Sequence, residues 1–133
     1  MSAKELLQSH FRTIRADPQA WRLLFATDAV LEMPFAPPHV PKVLKGIDEI
    51  AESVSGFVQL LGDDFEINQK SVHLVQGEDA VVAEFSMTAT AKPTGKIYNQ
   101  DYILYLRAED GKIVFYREYF DGPRTAAAFT PDS

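Results

Sequence analysis

The 133-residue sequence contains no cysteine, which excludes disulfides, thiolate nucleophiles, Cys-ligated zinc and iron–sulfur clusters. Positive charge is scarce: 13 Lys and Arg stand against 19 Asp and Glu, for a formal net charge of −6. Because a negative chain repels phosphate backbones and anionic lipid headgroups, we expect neither a nucleic-acid partner nor a membrane partner. No apolar run approaches the roughly 20 residues of a membrane span. Lys4 and Glu5 lie where a signal peptide would have its apolar stretch. We therefore expect a cytoplasmic protein.

Several motifs that bind ligands or perform catalysis are also missing. There is no Gly-rich phosphate loop and no Gly-x-Ser-x-Gly elbow. The three histidines, His10, His39 and His73, have no spacing typical of metal ligands, so we expect no metal site and no cofactor. His39 lies in a proline-rich loop that could close over a pocket. The alternative for His39 is a solvated imidazole.

The composition is that of an ordinary globular protein, 46% hydrophobic and 24% charged, and we expect a single domain over residues 1–133. Apolar residues at helical spacing predict three helices in the first half of the chain. They run from Ala3 to Ala16 behind a Ser2/Glu5 capping box, from Pro18 behind an Asp17 cap, and from Ile47 to a stop at Gly62. A short strand at Ala29–Phe35 and a stiff loop at Ala36–Lys45 separate the last two helices.

From Phe65 onward the apolar period changes from 3.6 to 2, which predicts strands. Turn-forming residues divide this region into four of them: Phe65–Val75, Ala80–Ala91, Ile97–Arg107 and Ile113–Phe120. Successive hairpins indicate an antiparallel meander. With a short Ala-rich helix after Gly122-Pro123, the predicted class is α+β, with helices packed on one curved sheet.

The last predicted strand is apolar on both faces, which favours helices on one face and the second subunit of a homodimer on the other. Glu118 shares one face with Val114, Tyr116 and Phe120. Burial raises the pKa of a carboxyl, and a carboxyl that titrates near neutrality suits general acid–base catalysis. The alternative is that Glu118 only forms a salt bridge with a buried Arg or a hydrogen bond with a Tyr.

Other strands supply candidate pocket walls and leave two orientations open. Phe85 and Met87 lie on the apolar face of the second meander strand. Glu32 alternates with Leu31 and Met33, and is either an outward carboxylate or a second pocket carboxylate. In the strand at Tyr98–Leu106, either Gln100 and Tyr102 or Asp101 and Ile103 point inward.

Two segments, Glu32–Pro38 (EMPFAPP) and Tyr116–Asp121 (YREYFD), together with Lys45–Ile50 and the order of elements, resemble SnoaL-like proteins of the nuclear-transport-factor-2-like superfamily. The resemblance covers nearly the whole chain. It implies a cone-shaped α+β fold in which a strongly bent, mostly antiparallel sheet wraps around N-terminal helices. It also implies an apolar pocket at the open end, and dimers formed through the sheet.

The same resemblance indicates which catalytic residues of related enzymes are present in this sequence. The three-residue polar relay of limonene epoxide hydrolases falls on Phe85, Met87 and Glu118, so two of its members are lost. The two catalytic Asp residues of ketosteroid isomerases fall on Met33 and near Ile103, so both are lost. The catalytic Glu of phenazine-biosynthesis proteins matches Glu118.

These alignments differ by one residue in the first strand, and that difference decides whether Glu32 or Met33 faces inward. We favour Glu32, because a buried Glu32–Glu118 pair would raise the pKa of one of the two carboxyls.

The resulting hypothesis is a cofactor-independent enzyme that isomerises, cyclises or hydrates a small apolar molecule with a carbonyl or enol group. Glu118 and Glu32 are its candidate catalytic residues. The candidate substrate-binding residues are Trp21, His39, Phe85, Met87, Tyr102, Tyr116 and Phe120, with Tyr102 or Tyr116 donating to a developing oxyanion. The alternative is a non-catalytic module that holds a hydrophobic ligand or docks a protein.

Overall fold

Three helices and two strands occupy the first half of the chain, and strands dominate the second half. The computed structural model describes residues 1–132. Their helices are α1 (Ala3–Thr13), α2 (Pro18–Arg22), α3 (Ile47–Val58) and α4 (Gly122–Ala128). Their strands are β1 (Phe25–Glu32), β2 (Val43–Lys45), β3 (Glu66–Leu74), β4 (Ala80–Thr90), β5 (Ile97–Glu109) and β6 (Lys112–Phe120). Within residues 1–132, no helix has the length and apolar character needed to cross a membrane.

The strands form one curved, unclosed sheet in the order β2-β1-β6-β5-β4-β3. Strands β3 to β6 pair antiparallel with one another in sequence order, which confirms the predicted meander. Strand β1 pairs parallel with β6, with Leu31 opposite Tyr116. Helix α1 packs across β4, β5 and β6, and α3 packs against β1. The predicted α+β fold, a bent and mostly antiparallel sheet around N-terminal helices, is therefore confirmed.

The predicted helix starts are confirmed by their hydrogen bonds. Ser2 Oγ accepts from the Glu5 N–H at 3.2 Å, and Glu5 Oε1 accepts from the Ser2 N–H at 3.0 Å, which completes the capping box. Asp17 caps α2 by accepting from the Ala20 N–H at 3.1 Å, with Pro18 in the first turn. These caps fix where α1 and α2 begin and so where their inner faces lie.

Element boundaries differ from the prediction where tertiary pairing decides them. Strand β1 begins at Phe25, because its parallel register with β6 starts there, opposite Ile113. It ends at Glu32, and the following residues leave the sheet in a turn. The loop predicted for Ala36–Lys45 contains the short strand β2, which pairs antiparallel with the end of β1. The first and third helices end at Thr13 and Val58, earlier than predicted.

Strand β5 orients its even-numbered residues toward the helices in the segment that lines the core. Gln100 is fully buried and Tyr102 is 6% exposed, whereas Ile103 is 45% exposed. The Gln100 amide donates to the Asp121 carbonyl at 2.7 Å and to Thr125 Oγ1 at 3.0 Å. This buried amide attaches α4 to the inner face of the sheet.

Candidate functional site

A cavity of about 120 Å³ lies between the inner face of the sheet and helices α1, α2 and α3. Its lining is mainly aliphatic and aromatic. The structure brings several of the predicted site residues together in this lining: Trp21, Phe85, Met87, Tyr102, Tyr116, Glu118 and Phe120. Apolar residues of β1 and α3 complete the walls. A ligand in this cavity would leave water for mostly apolar surroundings.

Within the described chain, Glu118 is the one carboxylate in this lining. Strand β6 directs it inward together with Tyr116, whose hydroxyl donates to Glu118 Oε1 at 2.9 Å. Burial raises the pKa of Glu118 to about 7, and the Tyr116 hydrogen bond opposes part of that rise by stabilising the carboxylate. Glu118 therefore forms the predicted tyrosine hydrogen bond and also titrates near neutrality.

Two further tyrosines lie beside this carboxyl, on β5. The Tyr98 and Tyr102 hydroxyls are hydrogen-bonded to each other. The Tyr102 ring stacks on Phe85 at a centroid distance of 4.7 Å, and its hydroxyl contacts Met87 Sδ at 3.8 Å. Burial raises the pKa of Tyr98 to about 12, and burial together with nearby negative charge raises the pKa of Tyr102 well above its ordinary value. These hydroxyls are therefore neutral hydrogen-bond donors over the physiological pH range.

His10 is a polar residue of the lining that the sequence analysis did not select. It is buried on α1, with Trp21 Nε1 at 2.8 Å from its Nδ1 and Tyr116 Oη at 3.2 Å from its Nε2. Burial lowers its pKa to about 4. A signal was present in the sequence, because His10 lies between Leu7 and Ile14 at helical spacing and so shares their buried stripe.

The favoured orientation of the first strand was wrong. Glu32 does not line the cavity; it lies on the opposite face of the sheet, 3.4 Å from Arg117 Nη1. Leu31 and Met33 line the cavity instead. The pairing of Glu32 with Arg117 across β1 and β6 fixes this register, because successive side chains alternate between faces. Glu32 and Glu118 therefore do not form a pair, and burial alone raises the pKa of Glu118.

The prediction that His39 contacts a ligand is also not supported by its position. His39 is exposed, and its φ of +73° places it at a left-handed turn position. The neighbouring Pro37 and Val40 line the cavity in its place. The proline-rich loop does line the cavity, but the His39 side chain is exposed and outside the lining, in agreement with the solvated alternative.

A family model for SnoaL-like domains matches residues 8–116. The chain belongs to the SnoaL-like family. An uncharacterised PhzA/B-like protein of Pseudomonas aeruginosa is 30% identical over 124 residues, which cover 91% of this chain and 85% of the relative. This SnoaL-like chain therefore has relatives whose function is itself not established.

Solved structures place the SnoaL-like chain in the nuclear-transport-factor-2-like fold. A Bacillus subtilis crystal structure with a provisional isomerase assignment is 28% identical, with a TM-score of 0.88 over 96% of this chain and 91% of that one. A nuclear-transport-factor-2-like protein from Burkholderia thailandensis is 21% identical, with a TM-score of 0.80 over 98% and 99% of the two chains. At that lower identity the likeness concerns the fold alone.

The outer face of the sheet carries a second aromatic cluster in this SnoaL-like protein. The Arg117 guanidinium lies over the rings of Phe115, Tyr105 and Tyr119, at 5.3, 5.5 and 5.9 Å. Phe35, which is 61% exposed, packs edge-on against Tyr119 at 5.4 Å. We call these five residues the outer aromatic patch.

Proposed function

We propose that this SnoaL-like protein is a cofactor-independent acid–base enzyme that isomerises a small apolar ketone or enol. The observation that carries the proposal is the Glu118 carboxyl, which lines an apolar cavity and has a pKa raised to about 7 by burial. A carboxyl with that pKa is present in both protonation states near neutral pH, as proton removal and return require. Neighbouring neutral tyrosines supply donors for a developing negative charge.

The size of the cavity limits the substrate. An engineered protein cavity of about 150 Å³ binds benzene. The cavity here, about 120 Å³, therefore suits a molecule of one ring or a short branched chain. Its single carboxylate and its tyrosines would contact a carbonyl at one side of the molecule, while Trp21, Phe85 and Met87 would contact hydrocarbon.

The reaction that fits these groups is migration of a double bond toward a carbonyl. The Glu118 carboxylate removes a proton from the carbon between the carbonyl and the double bond, and the electrons of that C–H bond form an enolate. Tyr102 donates to the enolate oxygen, because its contact with Met87 Sδ uses only a weak acceptor that the oxygen can replace. Glu118 then returns the proton to the far carbon of the double bond, so protons and electrons balance.

The direct test uses 3-cyclohexen-1-one as probe and follows the absorbance of the conjugated enone at about pH 8, where a carboxyl with a pKa near 7 is mostly ionised. We expect turnover above the buffer rate. Saturable binding of the probe with no turnover would reject the enzyme and support the alternative, a module that holds a hydrophobic ligand.

A cavity-filling variant checks where the probe binds. Val54→Phe adds a ring to the α3 wall of the cavity and should abolish binding of cyclohexanone. In the wild-type protein, cyclohexanone well above its Kd should stabilise the fold by about 1–3 kcal/mol, visible as a rise in Tm. Leu60→Phe is a matched control, because Leu60 is 42% exposed and lies outside the lining. An equal rise in Tm for wild type and Val54→Phe would place the ligand elsewhere.

We also propose that the protein forms a homodimer through the outer aromatic patch. Aromatic rings on an open sheet face expose apolar area that a second copy would bury. The dimer implied by the resemblance uses this same face of the sheet.

A charge placed beside the patch should separate the two copies. Ile103 is 45% exposed and lies opposite Tyr119 in the β5–β6 register. Ile103→Asp should convert a dimer to a monomer in light scattering after size exclusion. Leu74→Asp is the control, because Leu74 is 73% exposed but lies on β3, at the far edge of the sheet. A monomeric wild type would reject the dimer, and loss of the dimer in both variants would reject this interface.

A further inference from the structure

The His10 imidazole has hydrogen-bond partners at both ring nitrogens. It is 4% exposed, so solvent does not replace either partner. Trp21 Nε1 lies 2.8 Å from Nδ1, and Tyr116 Oη lies 3.2 Å from Nε2. His10 thus connects α2 to the strand that carries Glu118.

The Trp21 indole determines which nitrogen of His10 carries the proton. An indole N–H can only donate, so Nδ1 must be the unprotonated acceptor. Burial lowers the pKa of His10 to about 4, so the ring is neutral above about pH 5. A neutral imidazole has one N–H, and here it must be on Nε2.

The direction of the remaining hydrogen bonds follows from that tautomer. The Nε2–H of His10 donates to Tyr116 Oη, and the Tyr116 hydroxyl proton therefore goes to Glu118 Oε1 at 2.9 Å. The three hydrogen bonds donate in one direction, from Trp21 toward Glu118, and bonds in such a chain strengthen one another. Because Oε1 already accepts, Oε2 is the carboxyl oxygen that remains for a ligand.

We propose that His10 is a positioning residue: held in one tautomer by Trp21, it turns the Tyr116 hydroxyl toward Glu118 Oε1, so that Glu118 exchanges its proton with the ligand through Oε2. The proposal rests on the acid–base function proposed above. It adds a residue from α1 that does not itself transfer the proton.

The other polar groups near Glu118 do not take the place of Tyr116 and His10 in this series of hydrogen bonds. Tyr98 and Tyr102 of β5 face the carboxyl but hydrogen-bond to each other, and Arg124 of α4 acts on Tyr98. Among the described residues, Tyr98, Tyr102, Tyr116 and His10 are the titratable groups that line the cavity with Glu118, and Arg124 is not in that lining.

The first test measures the His10 tautomer directly, by long-range ¹⁵N–¹H NMR of the full-length wild-type protein at about pH 6.5. We expect a protonated Nε2 and an unprotonated Nδ1. A protonated Nδ1, or a mixture of the two tautomers, overturns the proposal without any variant.

The second test follows the Glu118 carboxyl by ¹³C NMR as pH is varied in Trp21→Phe. Without the indole donor, His10 can protonate Nδ1 and accept the Tyr116 proton at Nε2, which withdraws that proton from Glu118. The Glu118 pKa should then rise by about 0.5–1 unit, since the carboxylate loses a stabilising hydrogen bond. Phe11→Leu is the control, because the Phe11 ring packs 5.3 Å from the His10 ring without a hydrogen bond. An unchanged pKa in Trp21→Phe, or an equal rise in both variants, overturns the proposal.

A second pair of variants keeps the test decisive if Trp21→Phe does not fold. His10→Gln keeps an N–H donor near the position of Nε2 and should leave the Glu118 pKa close to the wild-type value. His10→Leu removes the donor to Tyr116 Oη, which weakens the Tyr116–Glu118 hydrogen bond, and should raise the Glu118 pKa. Equal pKa values in the two variants overturn the proposal. All these readouts use the protein without substrate, so they are independent of whether Glu118 proves catalytic. If the hydrogen bonds from Trp21 to Glu118 are confirmed but the protein turns over no substrate, the proposed enzymatic function is rejected and the positioning role of His10 is not.

Discussion

Glu118→Gln should lower the turnover of 3-cyclohexen-1-one by about 100-fold or more, because placed proton transfer contributes on the order of 100- to 10,000-fold in rate. The amide has nearly the same shape and still accepts from Tyr116, but it cannot remove and return a proton. Its neutral side chain also keeps the cavity apolar, so cyclohexanone should bind with a Kd within about threefold of the wild-type value. The comparison needs initial rates and Kd values for both proteins.

Glu84→Gln is the matched control for this substitution. It makes the same chemical change on β4, where Glu84 is exposed on the outer face and hydrogen-bonds to Ser71. Its rate should equal that of the wild-type protein. A Glu118→Gln protein that retains more than half of the wild-type rate would remove Glu118 from the mechanism.

The second large effect concerns the pH dependence of the free energy of unfolding. The pKa of Glu118 is about 7 in the folded state and about 4.5 when unfolded, so the folded state holds the extra proton between these values. Stability from this group is full below about pH 4.5 and falls by about 3 kcal/mol as pH rises to 7. For His10 the folded pKa is about 4 and the unfolded pKa 6.5, so its contribution rises by about 3 kcal/mol over that interval.

These two contributions have opposite slopes between about pH 4.5 and 6.5, so in the wild-type protein they nearly cancel. Glu118→Gln should expose the His10 slope, so its stability relative to wild type rises as pH increases from 5 to 7. His10→Gln should show the reverse trend. Urea unfolding of the three proteins at about pH 5, 6, 7 and 8 measures these differences, and other titrating groups cancel in each comparison. Parallel pH profiles for all three proteins would contradict the shifted pKa values of both residues.

Local sequence signals predicted the elements of this fold where short-range chemistry decides them. The Ser2/Glu5 capping box and the Asp17-Pro18 pair fixed the starts of two helices, and alternation along 80–91 fixed a strand. The start of β1 at Phe25 and the existence of β2 depend on partners distant in sequence. Periodicity inside one segment carries no information about those partners.

The contrast between Glu118 and Glu32 shows the same limit at the site. The last strand is apolar on both faces, so its pattern left the direction of Glu118 open, and the match to the catalytic Glu of phenazine-biosynthesis proteins indicated that Glu118 faces inward. Glu32 also alternates with apolar residues, Leu31 and Met33, but here the apolar set faces the cavity and Glu32 faces Arg117. A strand pattern separates its two faces without stating which one the helices cover, and that choice was made by pairing with β6.

The sequence by itself determined the α+β class, the meander, the SnoaL-like resemblance and the presence of one carboxyl among apolar residues near the C-terminus, since each depends on local pattern or on residues adjacent in the chain. Only the tertiary structure decided that His10 of α1 meets both Trp21 of α2 and Tyr116 of β6, the latter 106 positions later in the chain. The reason is physical: hydrogen bonds across packed elements are fixed by how helices cross a curved sheet. The same packing of helices on the sheet buries Glu118, and that burial raises its pKa.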